Sequence, residues 1–148
     1  MQPFPHRYEV SARATANGDV TLESHQLPVL QSASPAEFGG PGDRWSPETL
    51  LVAAVADCFA LTFRAIAAMS QFPWTSMTCE VVGSLDRVER VTRFTELTIH
   101  ARLQIAGEAD EAKARRLLEK AEQSCLVSNS LKATVHLQAE VRMERTAA

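Results

Sequence analysis

Ser46-Pro47-Glu48-Thr49-Leu50-Leu51-Val52-Ala53-Ala54-Val55-Ala56-Asp57-Cys58-Phe59-Ala60-Leu61-Thr62-Phe63 is the stretch on which the fold turns. It opens as a helix opens. Ser46 can cap with its hydroxyl, Pro47 suits the first helical position, and Glu48 sets an acid near the positive end of the dipole. From there to about Ser70 the residues are apolar nearly all round. Such a helix is expected to be buried on most sides, with the rest of the fold wrapped about it. Asp57 and Arg64 interrupt the run, which argues against a membrane span.

Working outward, the neighbouring segments have the period of strands. Tyr8, Val10, Ala12 and Ala14 alternate with polar residues, which predicts a strand with one buried face over Tyr8 to Thr15. Asn17-Gly18 then predicts a type I′ hairpin into a second strand from Val20 to Ser24. A third short strand is expected around Pro28 to Gln31. Ser32 to Arg44 is irregular and holds the Gly39-Gly40-Pro41-Gly42 run. At about a dozen residues it is long enough to be functional. Beyond the helix, Met77, Cys79, Val81 and Leu85 share one face of a strand. Leu97, Ile99, Ala101, Leu103 and Ile105 form the clearest alternation of all. A second helix is expected from about Glu108, with Ala114, Leu117, Leu118, Ala121 and Cys125 on its apolar stripe. A last strand runs from Ala133 to Met143. The order predicts one α+β domain over residues 1–148.

Composition removes several classes of function. The 15 basic and 18 acidic residues leave a net charge of −3, too small to argue for nucleic acid or an acidic membrane as partner. Arg87, Arg90 and Arg93 are the one basic cluster, and they read as decoration of a strand connection. The N-terminus has no apolar core of the signal-peptide kind, so a cytoplasmic protein is expected. In that setting three cysteines, an odd number at wide spacing, are free or redox-active thiols and not a disulfide framework.

The candidate chemistry is therefore sulfur chemistry. Cys79 lies on the inward face of a strand and reads as a small buried hydrophobe. Cys58 and Cys125 could each be core as well, but both have polar neighbours: Asp57 beside Cys58, and Ser124, Ser128, Asn129 and Ser130 around Cys125. The four histidines, His6, His25, His100 and His136, lack metal-ligand spacing. Neither a metal nor a cofactor is expected. Glu48 and Cys58 are ten residues apart, about 15 Å along a helix, so they cannot touch within it. If they share a site, a subunit interface or a long arginine must bridge them.

Phe38-Gly39-Gly40, Trp45-Ser46-Pro47-Glu48-Thr49-Leu50-Leu51, Ala56-Asp57-Cys58-Phe59 and Cys125-Leu126-Val127-Ser128-Asn129 together resemble the OsmC/Ohr family. That family comprises the osmotically inducible protein C and the organic hydroperoxide resistance proteins. The resemblance spans roughly His6 to Arg142. It implies an OsmC-like fold of antiparallel sheets with a long buried central helix and a second helix, in an intertwined homodimer with two sites at the interface. It also implies that Cys58 is the peroxidatic thiolate, that Cys125 is the resolving thiol, and that Glu48 positions an active-site arginine. Ohr-type members carry that arginine in the first hairpin, where this chain has Ala16-Asn17-Gly18-Asp19. OsmC-type members place it before the long helix, where Arg44 is the nearest candidate. Arg44 and a diverged site without the arginine are both open.

A free thiol with a pKa of ~8.5 is only a few per cent thiolate at neutral pH and needs stabilisation. Cys58 is mid-helix, beyond reach of the dipole. The expected reaction is reduction of alkyl or lipid hydroperoxides through a Cys58 sulfenic acid that Cys125 resolves, with an external dithiol, a lipoyl-type one among the candidates, as reductant. Phe59, Phe63, Phe38 and Trp45 are expected to line the apolar substrate site. The alternative is a catalytically diverged OsmC-like protein that binds a small apolar ligand at the dimer interface.

Overall fold

The structure is a computed structural model and describes residues 1–144. Contacts divide the chain into two compact units, Met1–Leu51 and Val52–Ala148. The first unit holds an antiparallel three-stranded sheet in the order β1 (Ser11–Arg13), β2 (Val20–Glu23) and β3 (Leu30–Ser32). The strand expected from Tyr8 to Thr15 is shorter than its alternation suggested, and β1 is exposed throughout. Within residues 1–51 no second layer covers it. The hairpin into β2 is present, but it is not the type I′ turn that Asn17-Gly18 predicted. Gly18 has φ +90° while Asn17 stays outside the positive region, and six residues separate the strands.

A 3₁₀ turn at Ala36–Phe38 occupies the irregular segment that follows β3, and Gly39 closes it in the left-handed region. A Cβ at Gly40 would run into the Ser34 carbonyl, so only glycine fits there. Arg44 Nε donates to Asp19 Oδ2 at 2.9 Å, and its Nη1 lies 3.3 Å from Asp43 Oδ2.

Helix α1 (Pro47–Met69) begins as the sequence predicted. The Thr49 N–H donates to Ser46 Oγ at 3.1 Å, and the Ser46 N–H donates to Thr49 Oγ1 at 2.8 Å. This is a reciprocal capping box with threonine in the role usually taken by Glu or Gln. Beyond its last residue, Met69, the chain leaves the helix through Gln71, at φ +51°. There Phe72 N–H reaches the Ala67 carbonyl at 2.9 Å and Gln71 N–H the Ala68 carbonyl at 3.1 Å, the pattern of a Schellman cap. Pro73 follows and forbids continuation.

From Val52 onward the second unit is a helix layer on a three-stranded sheet. β4 (Ser76–Val88) pairs antiparallel with β5 (Val91–Ile105), and β5 pairs parallel with β6 (Thr134–Met143). The sheet is thus mixed, and the expectation of purely antiparallel sheets is corrected. A parallel pair requires a crossover, which α2 (Glu111–Ser124) and the short α3 (Leu126–Asn129) supply. α2 starts three residues later than expected because Asp110, and not an earlier residue, accepts from the Lys113 N–H as its cap.

Val55, Phe59, Phe63, Ile66 and Ala67 of α1 pack with Leu97, Ile99, Leu103 and Ile105 of β5 and with Ala114, Leu117, Leu118 and Ala121 of α2. Met77, Cys79 and Val81 of β4 and Val135 to Val141 of β6 border this core on alternate positions. Leu85 does not join them. The register shifts between Ser84 and Leu85, which turns Leu85 out to solvent. At Gly83 a Cβ would press on Phe94, Val52 and Leu97 at 3.0–3.1 Å.

α1 itself departs from expectation. Although it is long and apolar enough to cross a membrane, it is a core helix along one side only, and Leu61 and Met69 lie open on the other. One sheet can cover one side of a cylinder, so the second apolar side is left uncovered by the described residues.

Candidate functional site

Cys58 and Cys125 are brought together from elements 67 positions apart in sequence. Cys58 sits mid-way along α1, half-buried, at the border between the core face and the open face. Its Sγ lies 3.9 Å from Thr62 Oγ1, one turn further along. Cys125 is fully buried at the break between α2 and α3, where the backbone turns extended (φ −66°, ψ 106°) and so directs the sulfur inward. Ser128 Oγ donates to Cys125 Sγ at 3.3 Å. Burial pushes the Cys125 thiol up, Ser128 pulls it back down, and the adjoining Cys58 thiol raises it again.

Cys79, on the inward face of β4, is a third thiol of the same apolar cluster. Burial pushes it up to about 11, and the nearby Cys125 adds to this. All three cysteines are free.

A groove of about 610 Å³ opens beside Cys58. One wall is the open side of α1: Ala54, Asp57, Cys58, Leu61, Thr62, Ala65, Ile66 and Met69. The other comes from the end of α2 and from α3, with Lys120, Ser124, Leu126 and Val127. Its surface is largely apolar, with Asp57 and Lys120 as the charged groups.

The sequence-predicted site residues therefore separate into groups. Cys58 and Cys125 meet. Phe59 and Phe63, expected to line the substrate site, are fully buried in the core beneath α1, with Trp74 edge-on to Phe63 at 5.4 Å. They point away from the groove because positions one and five after Cys58 fall on the opposite helix face. Phe38 and Trp45 are about half exposed in the first unit. Glu48 has one buried carboxylate oxygen, Oε2, with no hydrogen-bond partner among the described residues. Arg44 is engaged by Asp19 and Asp43, and the Asp19 hydrogen bond raises its pKa further. Asp57 is exposed at the groove wall. Among the described residues no group of His, Cys, Asp and Glu could hold a metal ion.

The groove-lining residues Leu61, Thr62, Ala65 and Lys120 were missed by sequence reasoning. The signal was present in the i, i+3, i+4, i+7 spacing from Cys58, but in a helix apolar on all sides that spacing does not say which face is inward.

Known proteins share the sequence pattern and the fold of this chain. The family model described as OsmC-like protein matches residues 40–140. The uncharacterized protein YmaD of Bacillus subtilis is 28% identical over 144 residues, covering 94% of this chain and 95% of its own. The organic hydroperoxide resistance protein of Xanthomonas axonopodis pv. citri is 27% identical over 136 residues, covering 88% and 93%. Among solved structures, an OsmC-like protein of unknown function from Vibrio cholerae superposes with a TM-score of 0.84 at 17% identity, covering 91% of this chain and 99% of its own. The family model covers more than half of the chain and the fold is that of a solved OsmC-like protein, so the protein belongs to the OsmC-like family.

Proposed function

We propose that this protein is a cytoplasmic, cysteine-based peroxidase that reduces organic hydroperoxides. The observation that carries the reading is the asymmetry of the two adjoining thiols: Cys58 borders an apolar groove, while Cys125 is sealed behind it. That is the division of labour required of an attacking and a resolving thiol. The 27% identity to an organic hydroperoxide resistance protein points the same way.

In the proposed cycle the Cys58 thiolate attacks the distal oxygen of the hydroperoxide. The O–O bond breaks, the sulfur becomes a sulfenic acid, and the alkoxide takes a proton and leaves as an alcohol. Cys125 then attacks the Cys58 sulfur, forming the disulfide as hydroxide leaves and is protonated to water. An external dithiol, lipoyl-type or otherwise, restores both thiols by exchange. The apolar groove favours alkyl or lipid hydroperoxides over hydrogen peroxide.

The working unit is a homodimer. The uncovered apolar side of α1, with Leu61 and Met69 exposed, supports a second copy seated against this chain. Light scattering at micromolar protein is expected to give twice the chain mass, and a mass near one chain would overturn the dimer.

A specific observation keeps the ligand-binding reading in view. Arg44, the candidate for activating Cys58, is held by two aspartates and makes no pair with Glu48 among the described residues. Anaerobic titration with cumene hydroperoxide separates the two. The peroxidase loses two thiols per chain and forms a Cys58–Cys125 disulfide, and Cys58→Ser abolishes turnover. Unchanged thiols in the native protein would leave the apolar-ligand reading.

A further inference from the structure

We propose that Thr62 is the positioning residue for Cys58, its hydroxyl donating a hydrogen bond that holds the sulfur as thiolate and aims it into the groove. The inference rests on the reading of Cys58 as the attacking thiol.

Three observations carry it. First, Thr62 Oγ1 lies 3.9 Å from Cys58 Sγ, within range for the large sulfur atom, and both residues line the groove. Secondly, a threonine inside a helix ordinarily turns its hydroxyl back onto the carbonyl four residues earlier, which here is that of Cys58. Thr62 does not make that bond. Among the described residues its hydroxyl bonds the Cys58 sulfur. Thirdly, the other sources of thiolate stabilisation are weak or engaged. Cys58 is too far along α1 for the helix dipole, which fades after the first turn. Asp57 on the same helix and Lys120 from α2 face the groove with opposite signs, and Cys125, from the end of α2, is itself a neutral thiol held up by burial.

In the reaction Thr62 keeps its proton. The Cys58 electron pair goes to the distal peroxide oxygen, the sulfur is oxidised by two electrons, and the departing alkoxide takes its proton from water.

The test compares Thr62→Val, which keeps the shape and removes the hydroxyl, with Thr62→Ser, which restores it. Iodoacetamide alkylation of Cys58, followed by peptide mass over about pH 6 to 10, reads its ionisation midpoint. Single-turnover oxidation by cumene hydroperoxide reads the rate. Thr62→Val is expected to raise the midpoint by about one unit, cutting the thiolate population at neutral pH about tenfold. A more basic thiolate is also more nucleophilic, with a Brønsted slope of about 0.5, so the neutral-pH rate falls only about threefold. Above the new midpoint the variant equals or exceeds the native rate, and the two pH profiles cross. Thr62→Ser follows the native profile.

An unchanged midpoint in Thr62→Val, an equal loss of rate at every pH, or a Thr62→Ser profile like that of valine would overturn the proposal. If native Cys58 is not oxidised by cumene hydroperoxide, the peroxidase reading falls, while the alkylation midpoints still decide the role of Thr62.

Discussion

Phe59 and Leu61 stand two residues apart on α1, and the structure gives them opposite surroundings: Phe59 is fully buried and Leu61 is 50% exposed in the groove wall. Truncating Phe59 to alanine removes on the order of 140 Å² of buried apolar surface, about 3.5 kcal/mol at ~25 cal/mol per Å². The cavity left behind raises this to about 4–5 kcal/mol. Leu61→Ala removes a side chain that this chain leaves half in water, so it costs at most about 1 kcal/mol. Urea unfolding followed by circular dichroism at matched protein concentration measures both. Because ~4 kcal/mol is a large part of a typical domain's stability, Phe59→Leu serves as a milder companion that keeps the protein folded. The peroxide assay should show the reverse order, with Leu61→Ala weakening use of bulky hydroperoxides and folded Phe59→Leu leaving that preference unchanged. If Phe59→Ala costs less than about 1.5 kcal/mol, or alters substrate preference without destabilising, the assignment of the inward face of α1 is wrong. If a second copy covers the open face, the cost of Leu61→Ala will grow with protein concentration.

Three further outcomes follow from local geometry. Ser46→Ala removes the buried cap and half of its reciprocal pair with Thr49, so stability should fall by about 1–2 kcal/mol in thermal or urea unfolding. Glu89 and Arg90, which connect β4 to β5, both have positive φ (50° and 68°), so replacing them with Asn-Gly should relieve strain and raise stability by about 1 kcal/mol. Cys79 is raised from 9.0 to about 11 in the folded protein, so between these values the unfolded chain releases a proton that the folded one keeps. Its contribution to stability is full below pH 9.0 and is lost as pH rises toward about 11. The urea midpoint should therefore decline across that window, and less steeply in Cys79→Ala.

The two hairpins show where sequence reading reached its limit. Asn17-Gly18 carries the strongest short-range hairpin signal in the chain, yet the connection there is longer and only Gly18 enters the positive region. The true two-residue turn is Glu89-Arg90, which has no favourable turn residue and is forced by 13 paired positions between two long strands. Local propensity is worth about 1 kcal/mol, and a long ladder overrides it.

The sequence by itself determined the helix and its cap, the alternation of β5, the core of α2 and the two thiols of interest. Each of these depends on near neighbours in the chain, through periods of 3.6 and 2 and through capping chemistry confined to three or four residues. Tertiary structure alone decided the parallel pairing of β6 with β5, because nothing local records which way a strand returns after a crossover. It also decided which side of an all-apolar helix faces the sheet. That choice buried Phe59 and Phe63, opened Leu61 and Thr62 to a groove, and set Cys58 on the border between them, where packing and not pattern is the deciding force.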